Sequence, residues 1–389
     1  KSVVHVARLV LKDFRNYTDE TVELGPGINL VLGRNAQGKT NLLEAVYLLS
    51  GLGSPRPGES NLIRHGSDRA TVHAEVVKRD RTVRVDLELR AGRGSKSAIN
   101  GSPASARLLR ELGCSVFFGP DELGLVKGSP EGRRRFLDDL VLKLRPAREA
   151  VRREWERALR QRNALLRSGP RSQGPDFDGN LEVWDDMFCA AAAALTVARL
   201  EALAALVPYA EKRYEELAGG GRLVLRYDSS WLDEQQGQLA LLEPEAVEAA
   251  ALADRLRSRL GELRAREIER GLSLAGPQRD DLRIELPASR DPGAPMLDAR
   301  QFASQGDQRT AALALKLGEH EVVGDAIGDS PIMLLDDVYS ELDPSRREWL
   351  TSAVRGGGQI LISTTERLDQ ASLSSARILQ VEAGSVASQ

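Results

Sequence analysis

The feature that most constrains this chain is the stretch GRNAQGKT at residues 33–40, directly after the short apolar run INLVL. Gly33, Gly38, Lys39 and Thr40 fit the pattern G-x-x-x-x-G-K-[ST]. The glycines let successive backbone N–H groups curl around an anion, and the segment that follows, KTNLLEAVYLL, reads as a helix whose positive end points at the same place. Strand, turn and helix together predict a phosphate cradle. The candidate nucleotide contacts are Gly33, Arg34, Asn35, Ala36, Gln37, Gly38, Lys39 and Thr40, with Lys39 reaching the β- and γ-phosphates of ATP and Thr40 ligating Mg²⁺.

Such a cradle needs a metal carboxylate at the end of a buried strand. PIMLLDDVYSELD supplies one: Ile332 to Leu335 form an apolar run that ends in Asp336 and Asp337. Asp336 is placed to hold Mg²⁺, and Asp337 to orient or deprotonate an attacking water. These acids stand far from Lys39 in sequence, so something large intervenes.

The pattern along the chain says what that is. Residues 1–113 read as β-rich with one clear helix, and Asn100–Gly101 mark a hairpin turn. From about residue 130 to 270 the chain reads as helical, with Trp184, Met187, Phe188, Ala191, Leu195, Ala198, Ala202 and Leu206 at helical spacing on one face. Strands return from LSLAGPQRDDLRIEL onward. The expected fold class is α/β, one nucleotide-binding head interrupted by a helical lobe. Its parts are residues 1–115 with the phosphate loop, 116–272 as the inserted lobe, and 273–389 with the acidic strand.

Composition excludes little. At 41% hydrophobic and 29% charged the chain is ordinary for a globular protein, and its net charge of −3 gives no global attraction to nucleic acid. Two distant cysteines, Cys114 and Cys189, and four scattered histidines suggest neither a disulfide framework nor a zinc site, so a reducing cytoplasm is expected. The N-terminal KSVVHVARLVLKDF has no apolar core resembling a signal peptide. The apolar run around residues 187–207 carries Arg199 and Glu201, so a buried helix is expected there and no membrane partner.

Upstream of the acids, QFASQGDQRTAALALKL reads as S-x-G-x-Q opening an amphipathic helix, and YSELDPSRR follows them. At this point the chain resembles the ABC-type ATPases. In that family the signature serine and glycine, here Ser304 and Gly306, contact the γ-phosphate bound to a second subunit. Ser304 with Asp307 also reads as a helix-capping box, and both readings can hold. Many ABC proteins carry a histidine after the strand ILISTTERL; here Ser363, Thr364 and Thr365 stand there instead.

The finer resemblance is to the RecF family of recombination mediators, related to SMC-type heads. It rests on LVLKDFRNYTDETVEL, GRNAQGKTNLLEAVYLLS, GPDELGLVKGSPEGRRRFLD, GPQRDDL, SQGDQRTAALALKL and LLDDVYSELDPSRR. The departures are Gln278, where histidine is common, and Asp307, where glutamine is. The resemblance implies an ATP-dependent DNA-binding protein that dimerises around two ATP molecules on gapped or junction DNA, hydrolyses ATP slowly, and with RecO and RecR helps load RecA. Two alternatives predict other things. A transporter ATP-binding subunit would hold Lys39 and Ser304 much closer in sequence. An SMC-like structural head would need long coiled-coil arms, and two antiparallel helices drawn from residues 131–270 reach at most about 105 Å.

Residues 131–171 add a local clue, with 13 Lys+Arg against 6 Asp+Glu. Arg133, Arg134, Arg135, Arg152 and Arg153 are the candidate DNA contacts, with Arg160 and Arg162 in the same patch. Interleaved Glu149, Glu154 and Glu156 also permit a solvated helix face with i,i+4 pairs.

Overall fold

The computed structural model describes residues 2–55, 62–92, 94–173, 176–232, 247–289, 291, 293–338, 347, 358–365 and 376–388. They fall into two compact units, Lys1–Leu123 with Ala312–Gln389, and Gly124–Ala311.

The first unit contains two six-stranded sheets among the described residues. One is antiparallel, in the order Tyr17–Glu23, His5–Phe14, Arg69–Lys78, Arg81–Arg90, Gly94–Ile99, Ser102–Pro103. Its strands alternate: in Arg69–Lys78 the side chains of Ala70, Val72, Ala74 and Val76 are buried and the residues between them are more exposed. The last two strands meet through Asn100 and Gly101, both at positive φ, as the Asn-Gly dipeptide predicts.

The other sheet runs Ser385–Ser388, Arg377–Glu382, Ile28–Leu32, Ile360–Thr364, Ile332–Asp336, Ser115–Phe118. Every neighbouring pair is parallel except the terminal hairpin. Ile332–Asp336 and Ile360–Thr364 are buried throughout, which is why they read as unbroken apolar runs rather than alternating ones. The helix Lys39–Leu48 shares one core with residues of both sheets and is buried on nearly every side. Each of its fully buried leucines contributes roughly 1.5–3 kcal/mol. Its one acid, Glu44, is buried among them and accepts two 2.9 Å hydrogen bonds from Arg15.

The second unit holds the helices Pro130–Leu144, Glu149–Gln173, Phe177–Ala218 and Ala249–Arg270 and a three-stranded antiparallel sheet. The sheet joins Val224–Asp228, inside the stretch expected to be helical, to Asp281–Pro287 and Met296–Asp298. This pairing draws the returning chain into the lobe first, so the unit runs to Ala311 and not to residue 272.

Phe177–Ala218 is long and apolar enough by composition to cross a membrane. It is nonetheless an interior helix. Phe188, Leu195, Ala198, Ala202 and Leu206 are buried as expected, whereas Met187 is 46% exposed and leaves the predicted face. Arg199, inside this helix, is buried and donates to both oxygens of Asp138, at 2.7 and 3.0 Å.

Arg162 is fully buried. It donates to Asp185 at 2.7 Å, Ser273 at 2.7 Å and Glu267 at 2.6 Å, with its guanidinium 5.0 Å from the centre of the Phe188 ring. It joins three helices to the segment after Gly271. Removing one partner of such a network strands the others and costs about 3–5 kcal/mol.

Candidate nucleotide site

The phosphate loop links Ile28–Leu32 to the helix that starts at Lys39. Two glycines are required by geometry. A Cβ on Gly33 would stand 2.4 Å from the Val381 carbonyl oxygen, and Gly38 combines φ 119 with Asn16 side-chain atoms at 2.7 and 2.9 Å. The loop is braced from behind. Asn16 Nδ2 donates to the Gln37 carbonyl at 2.8 Å and Tyr17 Oη to the Gly38 carbonyl at 3.0 Å. Ala383 N–H donates to Gln37 Oε1 at 2.7 Å, and Gly384 N–H to the Gln37 carbonyl at 3.1 Å. Arg34, Asn35 and Ala36 are exposed on the outer side of the turn.

The helix begins at Gly38 with no side-chain cap and no acid in its first turn. Its N-terminal N–H groups therefore keep their positive character, which favours an anion. Lys39 is buried, and its Nζ donates to the carbonyls of Gly33 at 2.9 Å and Arg34 at 3.2 Å, 3.9 Å from Asp337. Thr40 Oγ1 donates to Asp336 Oδ1 at 3.0 Å. The two residues expected to share Mg²⁺, far apart in sequence, are thus in direct contact. One hydroxyl and one carboxylate suit an ion that keeps several waters and takes phosphate oxygens for the rest. Asp337 adopts the left-handed conformation, φ 50. Thr364 is buried and its carbonyl accepts from Gly33 N–H at 3.3 Å, whereas Thr365 is exposed. Asp343 and Glu341, in the YSELDPSRR segment, lie outside the described residues.

Ser304 and Gly306 belong to the second unit, at the start of the helix Gln305–Ile327. Both are exposed, and a Cβ on Gly306 would meet only Ser304 Oγ, at 3.7 Å. The serine half of the capping box is formed, with Ser304 Oγ accepting from Asp307 N–H at 3.1 Å, and the Asp307 carboxylate accepts from that hydroxyl at 2.7 Å. Gln308 turns inward and donates to the Ala299 carbonyl at 3.0 Å, so it is an anchor.

The basic patch requires correction. Arg133 is 3% exposed; it donates to both carboxylate oxygens of Asp281 at 2.7 and 2.8 Å, and to the Gly128 carbonyl at 3.0 Å. Arg134 donates to the Asp280 carbonyl at 2.8 Å. Arg162 is the buried hub described above. These three hold the lobe together and do not face solvent as free cations. Arg135 is exposed near Asp139 at 3.8 Å, and Arg152 lies 3.5 Å from Glu156. Arg153 is exposed and, among the described residues, has no ion-pair partner. Arg157 and Arg167 share that condition.

Around the same segment Asp280 is fully buried and accepts from Tyr227 Oη at 2.8 Å and Ser229 Oγ at 2.9 Å. Burial pushes its carboxyl up to about 6 from an ordinary 3.8, against the opposing pull of those donors and of Arg199.

A parallel sheet in which one strand separates the strand before a phosphate loop from an acidic strand whose first acid touches the loop's threonine, in a chain that makes a helical lobe between them, is the architecture of an ABC-type ATPase head of the SMC kind. Comparison with known proteins agrees. Residues 5–384 match the family model described as RecF/RecN/SMC N terminal domain. Similarity to an SMC head from Pyrococcus furiosus, TM-score 0.53 at 16% identity over 99% of this chain and 96% of that one, reflects the shared fold.

Two relatives described as "DNA replication and repair protein RecF" are closer in sequence. The protein of Acidothermus cellulolyticus is 42% identical over 93% of this chain and 94% of its own, and that of Streptomyces avermitilis is 41% identical over 92% and 93%. A solved structure of the recombination mediator protein RecF with ATP superposes with a TM-score of 0.86 at 26% identity, covering 100% of this chain and 98% of that one. The chain belongs to the RecF family.

Proposed function

We propose that this protein is an ATP-switched DNA-binding factor of recombinational repair, acting in the cytoplasm with RecO and RecR to help place RecA on gapped or junction DNA. The observation that carries the ATP half is the contact between Thr40 and Asp336, which unites phosphate loop and acidic strand beside Lys39. On this reading Lys39 exchanges its two carbonyl partners for β- and γ-phosphate oxygens. Thr40 and Asp336 would hold Mg²⁺, which when bound would supply charge neutralisation to the phosphates. Asp337 orients the attacking water, and its short carboxylate fits slow turnover. The exposed Ser304 and Gly306 of a second copy close over the γ-phosphate, so ATP joins two subunits and hydrolysis frees them.

Family membership supports the DNA half, and the helix Glu149–Gln173 offers a surface for it. Arg153, Arg157, Arg160 and Arg167 recur at helical spacing on one exposed face, and only Arg160 has an ion-pair partner among the described residues, Glu156 at 3.9 Å. We assign the phosphate contacts to this stripe, in place of Arg133 and Arg134.

Light scattering tests the ATP switch. The parent is expected to double in mass with Mg²⁺-ATP, and Lys39→Met to stay at its nucleotide-free mass. A variant that dimerises with ATP like the parent would remove Lys39, and the cradle, from the mechanism.

A further inference from the structure

Between the two acids stands a hydroxyl from the strand ILISTTERL. Ser363 is fully buried on the strand Ile360–Thr364, in register with Asp336 on the neighbouring strand. Its Oγ donates to Asp336 Oδ1 at 2.6 Å and accepts the Asp337 N–H at 2.9 Å. A serine hydroxyl has one proton to give and two lone pairs to accept with. Here one group ties the side chain of the first acid to the backbone of the second.

Both contacts bear on geometry the site needs. Thr40 Oγ1 and Ser363 Oγ converge on the same oxygen of Asp336, which fixes the plane of that carboxylate. Asp337 sits at φ 50, a left-handed conformation that a non-glycine residue keeps only where its surroundings hold it. The bond to Ser363 is such a hold, and the resulting turn leaves the Asp337 carboxylate 3.9 Å from Lys39 Nζ.

We propose that Ser363 is the positioning residue of the nucleotide site: it aims the Asp336 carboxylate at the metal position and keeps Asp337 in the left-handed turn that faces the phosphates. This rests on the ATPase reading above. Ser363 touches no reacting atom; it acts through the two acids. A serine that merely satisfied a buried strand end would move neither metal dependence nor the Asp337 amide.

The test compares the full-length parent with Ser363→Ala, Ser363→Cys and Ser363→Thr. Three quantities are read: hydrogen exchange of the Asp337 amide without nucleotide, ATP affinity with Mg²⁺ and with EDTA, and kcat beside KM. In Ser363→Ala the amide exchanges at least tenfold faster. The gain in ATP affinity from Mg²⁺ shrinks while affinity in EDTA is unchanged, and kcat falls about 10–100-fold, the range expected when a ligand loses its outer partner. Ser363→Thr keeps the hydroxyl and restores all three; Ser363→Cys, a weaker donor of similar size, falls between. If Ser363→Ala does not fold, the order of Ser, Thr and Cys still decides. Ser363→Ala or Ser363→Cys with the parent's amide exchange, Mg²⁺ gain and kcat would overturn the proposal. A parent with neither Mg²⁺-dependent ATP binding nor turnover would instead overturn the ATPase reading, and the amide exchange would still report whether the hydroxyl holds Asp337.

Discussion

Among single residues, Asp280 shows how burial and hydrogen bonding compete. It is fully buried and takes two hydroxyl donors, yet desolvation outweighs them and its carboxyl rises to about 6. The folded chain therefore binds a proton more readily than the unfolded chain, whose carboxyl stays near 3.8. Stability contributed by this group is greatest below about 4 and declines as pH climbs from about 4 to about 6. An Asp280→Asn variant, which cannot ionise, should lose that decline. Urea unfolding of both proteins across pH 4–7 measures it, and parallel curves would contradict the assignment. The segment holding Asp280 was legible in the sequence as a motif, GPQRDD, but its chemistry was not. Tyr227, on the strand Val224–Asp228, and Ser229, just after it, reach it from more than fifty positions upstream, and no local pattern announces that pairing.

The elements were legible in proportion to how local their causes are. Ile28–Leu32, the phosphate loop and Ile332–Asp336 follow from apolar runs and turn chemistry within a dozen residues, and the structure has them where the pattern puts them. Val224–Asp228 was read as part of a helical stretch because its partner, Asp281–Pro287, lies across an intervening helix. Arg133, Arg134 and Arg162 were misjudged as surface cations for a related reason. Counting charge does not say which cations are spent on Asp281 or Glu267 inside the lobe. A lone charge in an apolar helix, such as Glu44 or Arg199, is the local sign that a buried ion pair exists.

What remains on the helix Glu149–Gln173 after those are set aside is the exposed stripe proposed to contact DNA phosphates. Changing Arg153, Arg157 and Arg160 together to Gln should weaken DNA binding and flatten the plot of log K against log salt by about 0.9 for each lost contact, up to about 2.7 for three. Melting temperature should be unchanged. A triple variant with the parent's salt slope would move the contact surface elsewhere.

Across the whole molecule, a net charge of −3 leaves DNA affinity to local surfaces, and a head divided by its lobe leaves ATP binding to parts made at very different times. The bracing of the phosphate loop makes the second point concrete. Asn16 supports Gln37 from the front of the chain, and the turn at Ala383 and Gly384 supports it from the back. Until the strand Arg377–Glu382 has paired with Ile28–Leu32, the carbonyl of Val381 is not beside Gly33 and the loop has no rear wall. Contacts of such long sequence separation form late, because loop closure must precede them. A ribosome-bound chain halted at residue 376 should accordingly fail to retain an ATP analogue that a released chain retains, and retention by the halted chain would show that the loop stands without its support. On the proposed function, the nascent protein would then be blind to the cell's nucleotide pool during synthesis, and no unfinished copy would be recruited to join a partner over DNA.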